Sequence, residues 1–241
     1  MGDPRIHVDA LLEPGSDVLL PEGAARHVVT VLRQREGATL ALFDGRGHEA
    51  TAVLVEVSRK RVLARVDSVS PGRNESPLAV HLGQAVSKGD RMDYAIQKAV
   101  ELGVAEITPL HTKHGDVRLK GEREAKKHAR WQGVAISACE QCGRATVPKI
   151  HPPRPLEDWL AERDEVLRLV LHPAAESPWR ETADVRKAAL LIGPEGGLSK
   201  EEIIRAQHAG FTALTLGPRI LRTETAPVVA LSLLQHYFGD L

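Results

Sequence analysis

Residues 190–203 read LLIGPEGGLSKEEI. Ala188 to Ile192 predict a buried strand, Gly193 to Gly197 a loop at its C-terminal end, and KEEIIRAQHAG a helix. Ser199 and Glu202 have the spacing of a capping box, which fixes where that helix begins. Strand, glycine-rich loop and helix in this order are the unit of an open α/β sheet, where ligands bind outside the carboxyl ends of the strands. Glycine lacks the Cβ that keeps a ligand away from the backbone, so N–H and C=O groups can bind directly. Taken alone, the stretch also fits a tight turn that holds nothing.

Two further segments bear on it. LTLGPRILRTETAPVVAL, residues 214–231, again ends a strand in Gly217-Pro218 and continues into Arg219 to Arg222. Thr223 or Thr225 can cap the helix that follows, and Pro227 is tolerated in its first turn. A third strand, LRLVLHP, ends in His172-Pro173. Three neighbouring strand ends of this kind make a pocket of backbone groups and aliphatic side chains. Such a pocket suits an adenine ring with small polar groups better than a triphosphate.

Working outward, residues 78–241 alternate short apolar runs with amphipathic segments, the pattern of a largely parallel sheet covered by helices. LAVHLGQAV and VAEITPLHT read as strands. DRMDYAIQKAVELG reads as a helix with Met92, Ile96, Ala99 and Leu102 on one face, closed by Gly103. EREAKKHARWQGVAISACEQCG is a longer helix, followed by PLEDWLAER, the strands VLRLVLHP and AALLIG, and TALTLG before the last helix through APVVALSLLQHYF. The first seventy residues differ. ATLALFDGRGHEATAVLVEVSRKRVLARVDSV alternates branched and polar residues around Asp44-Gly45 and a basic turn at 59–61. PEGAARHVVTVLR places Ala25, Val28, Val29 and Leu32 at helical spacing. SPGRNESP, residues 70–77, is the candidate linker, giving a β-rich module over 1–72 and an α/β domain over 73–241.

With 42% apolar and 27% charged residues among 241, the chain has an ordinary globular composition, and 3% aromatics argue against an aromatic stacking platform. A net charge of zero means that a nucleic acid partner must meet a local patch. Residues 111–131 supply one: Lys113, Arg118, Lys120, Arg123, Lys126, Lys127 and Arg130 outnumber Asp116, Glu122 and Glu124, with His111, His114 and His128 among them. The competing explanation is a solvated helix face. Two cysteines give no disulfide framework, and no signal core or membrane-length run is found, so a cytoplasmic location is expected.

Several motifs mislead. Gly45-Arg46-Gly47-His48-Glu49-Ala50 fits the dinucleotide fingerprint, but a strand and not a helix is expected after it. Cys139-Glu140-Gln141-Cys142 and His111-Thr112-Lys113-His114 lack zinc-finger spacing, and the cysteines fall in a helix with Ala135, Ile136 and Ala138, where thiols pack in cores. No metal is expected. Neither a P-loop nor G-x-S-x-G occurs.

LLIGPEGGLSKEEI with LTLGPRILRTETA resembles the paired signature of the RsmE family, the 16S ribosomal RNA uracil-N3 methyltransferases of the SPOUT superfamily. HVVTVLR, KAVELGV and ISACEQCGRATVPKI resemble that family in order and position, so the likeness covers almost the whole chain. The resemblance implies an N-terminal PUA-like β-barrel, a SPOUT domain threaded as a deep trefoil knot, a homodimer, and S-adenosylmethionine bound in the knot. It implies methylation of uridine N3 in the decoding region of 16S rRNA. Carried over by motif, the cofactor residues are Leu171, His172, Ile192, Gly193, Pro194, Glu195, Gly196, Gly197, Leu216, Gly217, Pro218, Ile220 and Leu221.

Uracil N3 carries a proton and is a poor nucleophile until that proton leaves, so a base or a cation facing the ring oxygens is required. Arg222, directly after the cofactor loop, is expected to face the substrate. Glu224, Glu195 and Glu140 are candidate proton acceptors, against helix-start placement for Glu224, loop support for Glu195, and pairing of Glu140 with Arg144. Phosphate contacts are expected from Arg26, Arg33, Arg35, Lys113, Arg118, Lys126, Lys127, Arg130 and Arg144, with salt-dependent binding to the small subunit. A superfamily enzyme acting on ribose 2′-O, and a non-catalytic ribosome-assembly protein, are the rivals.

Overall fold

The computed structural model describes residues 3–58, 61–115, 120–172 and 185–241. Arg118 and the basic turn at 59–60 lie outside the described residues. Contacts divide the chain into two compact units, one of residues 1–75 with 139–147, the other of 76–138 with 148–241.

The first unit holds β1 (Arg5–His7), β2 (Asp17–Leu19), β3 (Thr39–Phe43), β4 (His48–Val57) and β5 (Val62–Pro71), in the sheet order β1-β3-β4-β5-β2. All pairings are antiparallel except β1 with β3. This is the curled PUA-like sheet of the expected fold class. Alternation along β3 to β5 turns Leu40, Leu42, Ala52, Leu54, Val62 and Val66 inward onto Ile6 and Val8. β4 begins at His48, directly after Gly47, so the G-x-G-x-x-A match lacks the helix it would need. Helical spacing in PEGAARHVVTVLR appears as α1 (Glu22–Arg26) running into a π-helical turn over His27–Val31.

The second unit carries β6 (Ala79–Ala85), α2 (Arg91–Glu101), β7 (Glu106–His111), α3 (Gly121–Cys142, its last turn in the first unit), β8 (Lys149–Ile150), β9 (Arg154–Pro155), α4 (Leu156–Ala161), β10 (Leu167–Leu171), β11 (Lys187–Ile192), α5 (Lys200–His208), β12 (Thr212–Leu214) and α6 (Thr225–Phe238). The sheet runs β12-β10-β11-β6-β7-β8, with β9 also on β7, and every pairing is parallel. A parallel sheet is covered on both faces, so its central strands read as continuous apolar runs. Ala188 to Ile192 are all buried, as LLIG predicts. α2 buries Met92, Ala95, Ile96, Ala99 and Val100. No helix among the described residues is long and apolar enough to cross a membrane.

β12 is shorter than TALTLG suggests. It is the edge strand, paired only along Leu169 to Leu171 of β10, and after Leu214 the chain leaves the sheet. The cap of α6 also differs. Neither Thr223 nor Thr225 caps it: the carbonyl of Arg222 accepts the N–H groups of Thr225 and Ala226, each at 2.9 Å, so the turn starts at Arg222. The Thr223 hydroxyl is thereby released for another partner.

β6 and β7 also bury a polar group. Nδ1 of His81 lies 2.5 Å from Arg163 Nη1, and Glu106 Oε2 is 2.6 Å from His151 Nε2. His81, Glu106 and His151 converge as metal ligands would, but Arg163 already places a cation among them. Burial, and then Arg163, push the His81 pKa down to about 3. The unfolded chain protonates His81 below about 6.5 and the folded chain does not, so stability falls as pH drops from 6.5 towards 3. Denaturant titrations at pH 6.5 and 5 should show this loss, at most about 1.4 kcal/mol per pH unit for one histidine. His81→Gln should make it shallower; an equal slope in both chains would refute the assignment.

Candidate cofactor pocket and the residues that line it

The three strand ends meet, since β12, β10 and β11 are neighbours in the sheet. Beyond their carboxyl ends lies a cavity of about 590 Å³ wholly within the second unit. Its walls are Leu171 and His172 at the end of β10, Ile192 to Leu198 from the end of β11, Leu214 to Leu216 and Arg219 to Glu224 from the end of β12, with Ala226 and Arg91.

Local chemistry builds each wall. Ser199 Oγ accepts the Glu202 N–H at 3.2 Å while Glu202 Oε2 accepts the Ser199 N–H at 2.7 Å, completing the capping box and fixing where the loop ends. Glu202 Oε1 also accepts the Lys113 N–H at 2.7 Å. Within the loop, Gly197 adopts φ +71° and donates to the Pro194 carbonyl at 2.8 Å. Only glycine takes that conformation without strain. At Gly193 a Cβ would meet Leu198 Cγ at 3.0 Å, so this glycine serves the loop's own packing besides opening its backbone.

Of the thirteen positions expected to hold a cofactor, the structure brings eleven to the cavity and leaves Gly217 and Pro218 off its lining. Arg222 and Glu224 line it too, Arg222 exposed and Glu224 partly buried. Glu140 stands in the first unit, where its Oε1 accepts the His7 N–H at 3.1 Å. Arg144 does not pair with it. Arg144 is 5% exposed, its Nε and Nη2 reaching Glu75 Oε2 at 3.0 and 2.8 Å, while Glu75 Oε1 accepts the N–H groups of Ala145 and Thr146. That guanidinium holds residues 139–147 onto the rest of the first unit instead of facing solvent.

Sequence reasoning missed Arg91. It donates to Glu195 Oε1 at 2.7 Å and stands 4.0 Å from Glu224 Oε1. Burial works to raise the Glu195 pKa, but hydrogen bonds from its own backbone, from Arg91 and from the Lys88 backbone prevail and hold it below the ordinary value. Glu195 is thus a fixed anion in a salt bridge, a poor proton acceptor. Glu224 differs: its Oε2 is buried and has no partner among the described residues. A proton acceptor needs such a free, partly desolvated lone pair.

The basic stretch is neutralised in part, and its Lys120, Arg123 and Lys127 form no ion pair among the described residues. Lys126 pairs with Glu122, Lys113 with Glu201, and Arg130 with Asp90 and Asp93. Arg26 pairs with Glu22 on α1, while Arg33 and Arg35 are exposed and form no ion pair among the described residues. Cys139 is buried, its Sγ 3.6 Å from the Thr146 carbonyl oxygen, and burial pushes its pKa up to about 12, the state of a packed and unreactive thiol.

A model of the RNA methyltransferase domain matches residues 74–235, and one of the RNA methyltransferase PUA domain matches 20–67. The ribosomal RNA small subunit methyltransferase E of Buchnera aphidicola from Acyrthosiphon pisum is 34% identical over 98% of this chain and 94% of its own. The chain belongs to the ribosomal RNA small subunit methyltransferase E family. A solved member from Neisseria gonorrhoeae, bound to S-adenosyl methionine, is 39% identical over the full length of both chains, with a TM-score of 0.92. A chain of Legionella pneumophila in complex with the cofactor SAM is 45% identical, also over both full lengths, with a TM-score of 0.96.

Proposed function

We propose that the chain transfers a methyl group from S-adenosylmethionine to N3 of a uridine in the decoding region of 16S rRNA. The observation that carries this is the cavity at the ends of β10, β11 and β12, built from the two segments that resemble the family's signature. Its size lies in the range of cofactor sites, and its mixture of backbone groups with Leu171, Ile192, Leu216, Ile220 and Leu221 suits an adenine ring and a short polar tail. When bound, S-adenosylmethionine supplies an electrophilic methyl group.

The chain's own residues do the rest. Ile192 to Gly197 and Leu216 to Leu221, with Leu171 and His172, would hold the cofactor. Arg91 and Glu195 close part of the cavity as an ion pair. Arg222 faces the uracil and stabilises negative charge on its oxygens, and Glu224 takes the N3 proton. Glu140 and Arg144 act in this account through the first unit's packing. The deep trefoil knot, the homodimer and a cytoplasmic location belong to the same proposal. Calorimetry with S-adenosylmethionine, followed by labelled methyl transfer to small ribosomal subunits, tests it; no binding would refute it and favour a non-catalytic assembly factor.

RNA affinity rests on Arg33 and Arg35 before the paired cations of α3. Reversing both charges should weaken rRNA binding and lower the slope of log K against log salt by roughly 0.7–0.9 per lost phosphate contact. Reversing Lys126 and Arg130, already paired, should lower it less. Filter binding across a salt series separates the two, and the opposite ranking would return the phosphate contacts to α3.

A further inference from the structure

Thr223, freed from capping α6, has a specific partner. Its Oγ1 donates to the Gly193 carbonyl at 2.8 Å and accepts from Gln84 Nε2 at 3.1 Å. A hydroxyl has one proton and a carbonyl can only accept, so the direction is fixed: Gln84 donates to Thr223, and Thr223 donates to Gly193. Gln84 lies near the carboxyl end of β6, in register with Ile192, the last residue of β11 before the loop. It is 1% exposed and Thr223 6%. Among the described residues, this is the hydrogen bond that joins the loop 193–197 to the segment 214–224, the two glycine-containing stretches that wall the cavity.

Packing does not explain an amide at position 84. Gln84 Oε1 is buried without a partner among the described residues, a costly state that leucine or methionine would avoid in the same volume. What the amide offers is its NH2 group, which donates to Thr223 Oγ1 at 3.1 Å and, at 3.4 Å, to the Ala85 carbonyl. We propose that Gln84 and Thr223 are positioning residues for methyl transfer, acting through the Gly193 carbonyl to lock the two loops in their cofactor-binding arrangement. This rests on assigning the cavity to S-adenosylmethionine. Two loops locked before binding spare the cofactor the entropy of ordering them, so the device sets affinity and leaves the chemical step to Arg222 and Glu224.

The test measures S-adenosylmethionine affinity by calorimetry, together with kcat and KM on small subunits, for Thr223→Val, Thr223→Ser, Gln84→Met and the Gln84→Met/Thr223→Val pair. Valine keeps the shape of threonine and orphans the Gly193 carbonyl; its affinity should fall about tenfold, with KM for the cofactor rising and kcat at saturation nearly unchanged. Serine should stay within about twofold of wild type, because it keeps the hydroxyl. Gln84→Met should weaken binding about fivefold, and the double variant should be no weaker than Thr223→Val, since Gln84 acts through the hydroxyl. Wild-type affinity in Thr223→Val, equal losses in valine and serine, or additive losses in the pair would overturn the proposal. If Thr223→Val does not fold, Gln84→Met decides in the same way. Absence of binding by the wild type would refute the cofactor assignment itself.

Discussion

Replacing Arg222 by alanine is expected to slow single-turnover methyl transfer by about 10²–10³ while changing S-adenosylmethionine affinity by less than about fivefold. Loss of the N3 proton leaves charge spread over the uracil oxygens. A guanidinium on the cavity wall lowers the energy of that charge only as it develops, so its removal acts on the transition state and not on the bound cofactor. Arg222→Lys should recover part of the rate, because it retains charge but loses the planar fork. An Arg222→Ala chain with the wild-type rate would remove Arg222 from the mechanism. A loss confined to cofactor affinity would make it a binding residue.

Glu224→Gln carries the second large effect. Oε2 of Glu224 is buried and has no partner among the described residues, whereas Glu195 is bound to Arg91 and Glu140 to the His7 backbone. The amide keeps the shape and cannot take a proton, so the single-turnover rate should fall by about 10²–10⁴. Glu195→Gln should cost far less at the chemical step. Raising the pH offers a second readout. Uracil N3 loses its proton to solvent more readily in alkali, so the ratio of wild-type to Glu224→Gln rates should shrink as pH rises. A ratio independent of pH would mean that Glu224 only supports the start of α6.

The features legible in the sequence were those written in short spacing. Ser199 and Glu202 announced their capping box because both halves lie within four residues. The buried run at 188–192 announced a parallel strand because both sheet faces are covered. Arg91 was not legible: it pairs with a carboxylate 104 positions later, a contact that exists only once the sheet brings β6 beside β11. Thr223 was read by local rules as a helix cap, and the turn starting at Arg222 overrode them. Arg144 resembled a surface cation until Glu75, 69 residues away, took it inward. The ion pairs of Arg130 and Lys113 were not legible either, since Asp90, Asp93 and Glu201 lie far from them along the chain.

The atom that receives the methyl group distinguishes N3 from ribose chemistry. A methyl on N3 blocks the Watson–Crick edge, so reverse transcription should stop at one uridine in the decoding region of small subunits incubated with this chain and S-adenosylmethionine, and read through without the cofactor. Labelled methyl incorporated with no stop, on a ribose resistant to alkaline cleavage, would contradict the account and point to 2′-O chemistry.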